Sequence, residues 1–232
     1  SEKNEPFIYK AIRKNALLEN VSQENQVPDF YNTSKTENGR VSYPIHHIDN
    51  YHQSQIGDHP KNIIFLTCDA FGVLPPLSKL NSGQAMYYFL NGYTAKVAGT
   101  ERGINGVEAT FSSCFGEAFL TLHPLHYAKL FQEKIEKYQS NIYLVNTGWT
   151  GGPYGIGNRI SIQYTRNCID SIFSGEIENT ELKEDKIFGL KVPVELSTVS
   201  KEICNPIESW DNKEEYYKTS LQLAEMFHQN YK

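Results

Sequence analysis

The run Asn62-Ile63-Ile64-Phe65-Leu66-Thr67-Cys68 constrains this chain more than any other stretch. Its apolar residues follow one another without the polar alternation of a half-wet strand, so its composition is that of a buried strand. Ile142-Tyr143-Leu144-Val145-Asn146 is a second strand of the same kind. Between them, residues 124–138 place Tyr127, Ala128, Phe131, Ile135 and Tyr138 at helical spacing, with Pro124 in the first turn. Buried strands mixed with amphipathic helices define an α/β (mixed α+β) chain. No internal repeat and no linker rich in Pro, Gly or Ser divides the 232 residues, which therefore read as one mixed-sheet unit spanning 1–232.

Further elements follow from the same rules. Helices are expected over 5–18, 82–91 and 213–231, and over 166–174 with Thr165 as its cap and Gly175 as its stop. Arg159-Ile160-Ser161-Ile162-Gln163 alternates like a strand, and 109–122 reads as strand and turn. Residues 19–61 are polar and read as loop with short strands.

Composition narrows the function classes. The formal net charge of −5 supplies no basic footprint for nucleic acid. No apolar stretch reaches the roughly 18–20 residues that span a bilayer. Ser1-Glu2-Lys3-Asn4-Glu5-Pro6 resembles neither a secretory nor a transit peptide. Cys68, Cys114, Cys168 and Cys204 are scattered without metal spacing and read as reduced thiols, so a cytosolic protein is expected.

The segment Val145–Ile162, VNTGWTGGPYGIGNRISI, raises the question of a phosphate cradle. A phosphate loop of the G-x-x-x-x-G-K-[ST] type needs a lysine and a hydroxyl after its last glycine, whereas Gly157 is followed by Asn158-Arg159. A dinucleotide fingerprint would open a helix, and Arg159–Gln163 reads as strand. The glycines therefore form a tight turn, and Arg159 becomes the residue of interest. Its planar fork can stack on a base or pair with a carboxylate or phosphate, although a surface ion pair would look the same. Arg40, in the turn Ser34–Ile45 with Lys35, Glu37 and Asn38, stands open between anion binding and a solvated loop. Thr100, Glu101 and Arg102 form another donor-rich turn. His46, His47, His52 and His59 with Asp49 and Asp58 fit no regular metal spacing, and no nucleophile–base pair stands out.

Seven segments taken together, in order, resemble one family. They are EPFIYKAIRKNALLENV, SKTENGRVSYPI, NIIFLTCDAFGVLPPLSKL, GYTAKVAGTERGI, TFSSCFGEAFLTLHP, NTGWTGGPYGIGNRISI and TRNCIDSIFSG. The family is ATP-dependent phosphoenolpyruvate carboxykinase, and the resemblance is to its C-terminal portion, from about Glu5 to the end. It implies the conversion of oxaloacetate and ATP to phosphoenolpyruvate, ADP and CO2, as in gluconeogenesis or anaplerosis, with Mg²⁺ on the nucleotide and Mn²⁺ as a second ion. It further implies that Arg40 bridges the transferred phosphoryl group and the organic acid, a catalytic and substrate-binding role. Glu5, Arg159, Ile160 and Thr165 would contact the nucleotide, Arg159 and Ile160 at its adenine.

The family's phosphate loop, its N-terminal domain and its metal-binding residues have no counterpart in these 232 residues. The resemblance therefore implies a truncated nucleotide-binding domain without metal ligands, inactive by itself and prone to homo-oligomerise through surface that truncation uncovers. The alternative is a non-catalytic adenine-nucleotide-binding or scaffold fragment. Small-molecule substrates are the expected partners, with no nucleic acid and no membrane. Gly39 departs from the family's Thr, and its freedom could loosen the turn that carries Arg40.

Overall fold

A computed structural model of the chain describes residues 2–3, 5–34, 39–97 and 106–232. It divides into two compact units, residues 1–58 with 97–106, and residues 59–96 with 107–232. One unit was expected because no flexible linker interrupts the sequence. The division falls instead in a wholly exposed polar stretch, residues 52–61, that forms no strand or helix.

The first unit contains helix α1 (Pro6–Ala11) and four three-residue strands, β1 (Leu17–Glu19), β2 (Ser22–Glu24), β3 (Val27–Asp29) and β4 (Arg40–Ser42). They pair antiparallel as β1 with β4 and β2 with β3. The helix expected over 5–18 ends at Ala11. Asn15 turns left-handed at φ 77°, which a helix cannot absorb, and Leu17–Glu19 pairs with Arg40–Ser42 instead. Local periodicity lost there to a cross-strand partner distant in sequence, Arg40 opposite Glu19 and Ser42 opposite Leu17. His47 is buried, its ring nitrogen 2.9 Å from the Ala11 carbonyl, while Arg13 donates to the His47 carbonyl at 2.5 Å.

The second unit holds β5 (Asn62–Thr67), β6 (Leu77–Leu80), α2 (Ser82–Asn91), β7 (Thr94–Val97) up to Lys96, β8 (Val107–Thr110), α3 (Pro124–Tyr138) and β9 (Asn141–Asn146). It continues through β10 (Trp149–Thr150), β11 (Asn158–Arg159), α4 (Ile162–Phe173), α5 (Glu176–Asn179), β12 (Leu182–Glu184), β13 (Lys191–Pro193), α6 (Lys201–Cys204) and α7 (Lys213–Tyr231). A five-stranded mixed sheet runs β12-β13-β6-β9-β5. Only β5 and β9 are parallel, in register from Asn62 opposite Asn141 to Thr67 opposite Asn146.

The continuous apolar composition of β9 follows from helices on both faces of this sheet. Ile142 and Leu144 point into a core with Ala85 and Tyr88 of α2, Ile135 of α3, and Leu223 and Phe227 of α7. Tyr143 and Val145 point the other way, against Cys168 and Ile172 of α4 and Ile177 of α5. The two-residue period of a strand divides one apolar run between two cores. Deleting the buried Leu144 side chain would cost about 3 kcal/mol.

The remaining helix ends follow their sequence signals except at the start of α4. Asn81 and Gln84 form a reciprocal capping box on α2, and α3 begins at Pro124 as expected. The strand expected over 159–163 stops at Arg159. Ser161, not Thr165, caps α4 by accepting from the Tyr164 amide at 3.2 Å. The alternating apolar residues Ile160 and Ile162 belong to different elements: Ile160 is buried behind the hairpin, and Ile162 opens the helix in solvent.

Candidate functional site

The carboxyl ends of the two parallel strands are where an open α/β sheet places its ligand crevices. Both strands turn there into one stitched structure. After β5, Asp69 is fully buried and its carboxylate accepts from the amides of Phe71 (2.9 Å), Val73 (2.7 Å) and Leu74 (2.8 Å) and from the Tyr93 hydroxyl (2.8 Å). Burial pushes the Asp69 carboxyl up, and these donors oppose it. After β9, the Asn146 side chain accepts from the amides of Asp69 and Gly148 and donates to the Leu74 carbonyl.

The glycine-rich hairpin lies on this turn. Trp149 donates its amide to the Asp69 carbonyl and Tyr154 to the Ala70 carbonyl, both at 2.8 Å. A Cβ on Gly148 would stand 2.2 Å from the Asp69 backbone, and one on Gly72 would stand 2.0 Å from the Gly152 carbonyl. The glycines are thus required by backbone packing against backbone. The Trp210 indole closes the arrangement by donating to the Gly72 carbonyl at 2.9 Å.

Arg159 emerges from this hairpin, exposed and directly opposite Trp149 in the β10–β11 pairing. Its guanidinium carbon lies 5.4 Å from the Trp149 ring, within cation–π range. Its Nε donates to the Thr147 carbonyl at 3.2 Å. Among the described residues no carboxylate pairs with it, and its contacts there are the Trp149 ring and the Thr147 carbonyl. Burial pushes the nearby Cys68 thiol up, with the Arg159 charge opposing. Ile160 is only 6 % exposed and donates its amide to the Gly148 carbonyl. Thr165 is half-buried in the first turn of α4.

Arg40 and Glu5 belong to the first unit, where both line a cavity of about 270 Å³. Tyr9, Phe30, Asn20 and Asn32 share its wall, which combines apolar faces with amide donors. Arg40 lies 3.8 Å from Glu19 across the β1–β4 pair, both side chains more than half exposed. Such a surface pair contributes at most about 1 kcal/mol, so it would yield readily to an anionic ligand. Gly39 is not in the left-handed region, and a Cβ there would meet only Val21 at 3.5 Å. Lys35, Glu37, Asn38, Thr100, Glu101 and Arg102 lie outside the described residues.

Sequence reasoning passed over Asp69, Asn146 and Trp149. A polar residue ends or closely follows each apolar strand, Asn146 in β9 and Asp69 after β5, a signal available in the sequence; the stacking of Trp149 on Arg159 depends on hairpin register. Among the described residues no group of three His, Cys, Asp or Glu side chains gathers as a metal site, and no helix is long and apolar enough to cross a membrane. The four cysteines are free and buried.

The fold and this site define an α/β protein that displays Arg159 beside buried polar groups where two parallel strands end. Comparison with known proteins is more specific. The sequence model of the phosphoenolpyruvate carboxykinase family matches residues 1–202. The chain is 59 % identical over 230 residues to phosphoenolpyruvate carboxykinase (ATP) of Campylobacter lari, covering 99 % of this chain and 44 % of that protein. The proteins of the same name from Sulfurimonas denitrificans and Leptospira biflexa are 58 % and 53 % identical, with the same coverage. The chain belongs to the ATP-dependent phosphoenolpyruvate carboxykinase family, and it spans less than half the length of these relatives.

Proposed function

We propose that this chain forms the adenine-binding side of an ATP-dependent phosphoenolpyruvate carboxykinase, with Arg40 as a cation on the phosphoryl path. The reaction is oxaloacetate plus ATP giving phosphoenolpyruvate, ADP and CO2. The observation that carries this reading is Arg159, exposed and without a carboxylate partner among the described residues, on a stitched hairpin at the carboxyl ends of β5 and β9. Family membership adds the nucleotide, since the relatives are named for ATP.

In this reading Arg159 stacks on or hydrogen-bonds the base, Ile160 backs it, and Thr165 contacts the nucleotide from α4. Glu5 and the Arg40 guanidinium act in the first unit. A fixed cation that meets charge developing on transferred phosphoryl oxygens lowers the barrier more than it tightens binding. Mg²⁺ accompanies the nucleotide and Mn²⁺ serves as a second ion in the reaction we assign. No residue of this chain is assigned to either ion, because no donor group of the needed kind gathers among the described residues. The chain also contains no G-x-x-x-x-G-K-[ST] sequence. Taken alone it should not turn over oxaloacetate; its action is cytosolic and on small molecules.

Calorimetry with MgATP tests the reading. The chain should bind, and Arg159→Ala should weaken binding by about tenfold, the scale of losing hydrogen bonds from a charged donor. Equal binding by both would remove Arg159 from the site. In a longer protein that carries out the reaction, Arg40→Ala should lower kcat far more than nucleotide affinity, and a predominant loss of affinity would contradict its assigned role.

A further inference from the structure

We infer that Trp149 is a positioning residue for the nucleotide, acting through Arg159; this rests on the nucleotide reading given above. Packing and backbone bonding hold Trp149. Its backbone amide is bonded to the Asp69 carbonyl at 2.8 Å, the Tyr154 ring packs edge-on against its ring at 5.4 Å, and the residue is only 7 % exposed. Tyr154 is tied in turn to Ala70. The ring is therefore packed in place without any ligand.

Arg159 stands across from it in register, its guanidinium carbon 5.4 Å from the ring and its Nε on the Thr147 carbonyl. The ring attracts the cation to one place, and the Nε bond selects one direction about it. Among the described residues the two Nη groups have no hydrogen-bond partner, so their donors are left for a ligand. An arginine that is already ordered loses less side-chain entropy on binding than one on a free stem. Trp149→Leu would fill space but supply no π face, while Trp149→Phe would keep one.

The test combines a ligand-free readout with a titration. In the free chain the Arg159 Nε–Hε NMR signal should be shifted by the indole ring current, and Trp149→Leu should return it to the position of an unstacked arginine. An Arg159 signal that Trp149→Leu leaves unmoved would overturn the platform directly, without any ligand. MgATP titrations then compare the chain with Trp149→Phe, Trp149→Leu, Arg159→Ala and the double variant Trp149→Leu/Arg159→Ala. Trp149→Leu should weaken binding by about fivefold and Trp149→Phe by less than about twofold. In the Arg159→Ala background, Trp149→Leu should add nothing, the coupling expected of two residues that act as one unit. An equal loss from Trp149→Leu in both backgrounds would assign Trp149 a purely structural role and overturn the proposal. Binding that Arg159→Ala leaves unchanged would overturn the nucleotide reading itself, and so would absence of binding by the unaltered chain. If Arg159→Ala weakens binding while Trp149→Leu does not, only the platform fails.

Discussion

Arg40 and Arg159 are held by two different kinds of structure. Arg40 sits on a strand of three residues whose partner strand is equally short, and its charged neighbour Glu19 is as exposed as itself. Arg159 also sits on a short strand, but that strand belongs to a hairpin bonded through its backbone to the turn after β5. Beneath it lie β9, whose residues 142–146 are all buried, and a core on each face of the sheet. The difference teaches that strand length alone does not decide how firmly a side chain is presented. What decides it is whether the flanking backbone is packed against other backbone.

Amide exchange puts the largest number on this contrast. Tyr143, Leu144 and Val145 should exchange about a thousandfold or more slowly than Leu18 and Val41, since opening the central strand exposes both cores while opening β1–β4 exposes little. Comparable protection in the two units would break the comparison at its root.

A matched pair of glycine substitutions sharpens it. Gly148→Ala puts a Cβ 2.2 Å from the Asp69 backbone and should destabilise the second unit by about 3 kcal/mol or more, measured by urea unfolding. Gly39→Ala meets only a methyl group at 3.5 Å and should change stability by less than about 1 kcal/mol. Similar costs at the two positions would mean that the hairpin is looser than its contacts imply.

Acid should act on the second unit through Glu178. This carboxylate accepts from the Tyr143 hydroxyl at 2.7 Å and pairs with Lys79, joining α5 to the sheet. Burial pushes its carboxyl up, but the Lys79 and Tyr143 hydrogen bonds and the Lys79 charge outweigh this and hold it below its ordinary 4.5. A depressed carboxylate stabilises the fold above its unfolded value, and that stability is lost as pH falls through the folded value. The chain should therefore lose stability on acidification below 4.5 more steeply than Glu178→Gln does. Parallel acid curves would remove the network from the account of how the sheet is held.

The smallest effect belongs to the first unit. Glu19→Ala removes the exposed partner of Arg40 and should change stability by no more than about 0.5 kcal/mol in thermal unfolding. A loss several times larger would show that β1 and β4 depend on this pair, and that Arg40 is less available to a ligand than proposed.

Much of the second unit was legible because its signals are local. Pro124 and the spacing to Tyr138 marked α3 at both ends, and helix α7 ran over the expected residues 213–231. Strands β5 and β9 announced themselves by composition. The first unit was legible only as polar loop with short strands, and its helix was overdrawn because nothing near Leu17 in sequence reveals its pairing with Ser42. At the site, Arg159 stood out as an arginine after glycines. The reason for those glycines did not, because the atoms they must avoid belong to Asp69 and other remote backbone.

By itself, then, the sequence determined the α/β class, the buried strands, the main helices and the family, since these rest on residue type, periodicity and ordered motifs. Tertiary structure decided that one apolar run serves two cores and that Ser161 rather than Thr165 caps α4. It also decided that Trp149 lies under Arg159, and that the glycine segment is a backbone-packed hairpin. Except for the local Ser161 cap, those outcomes depend on groups brought together from distant positions or on register between strands, and neither is written in local spacing.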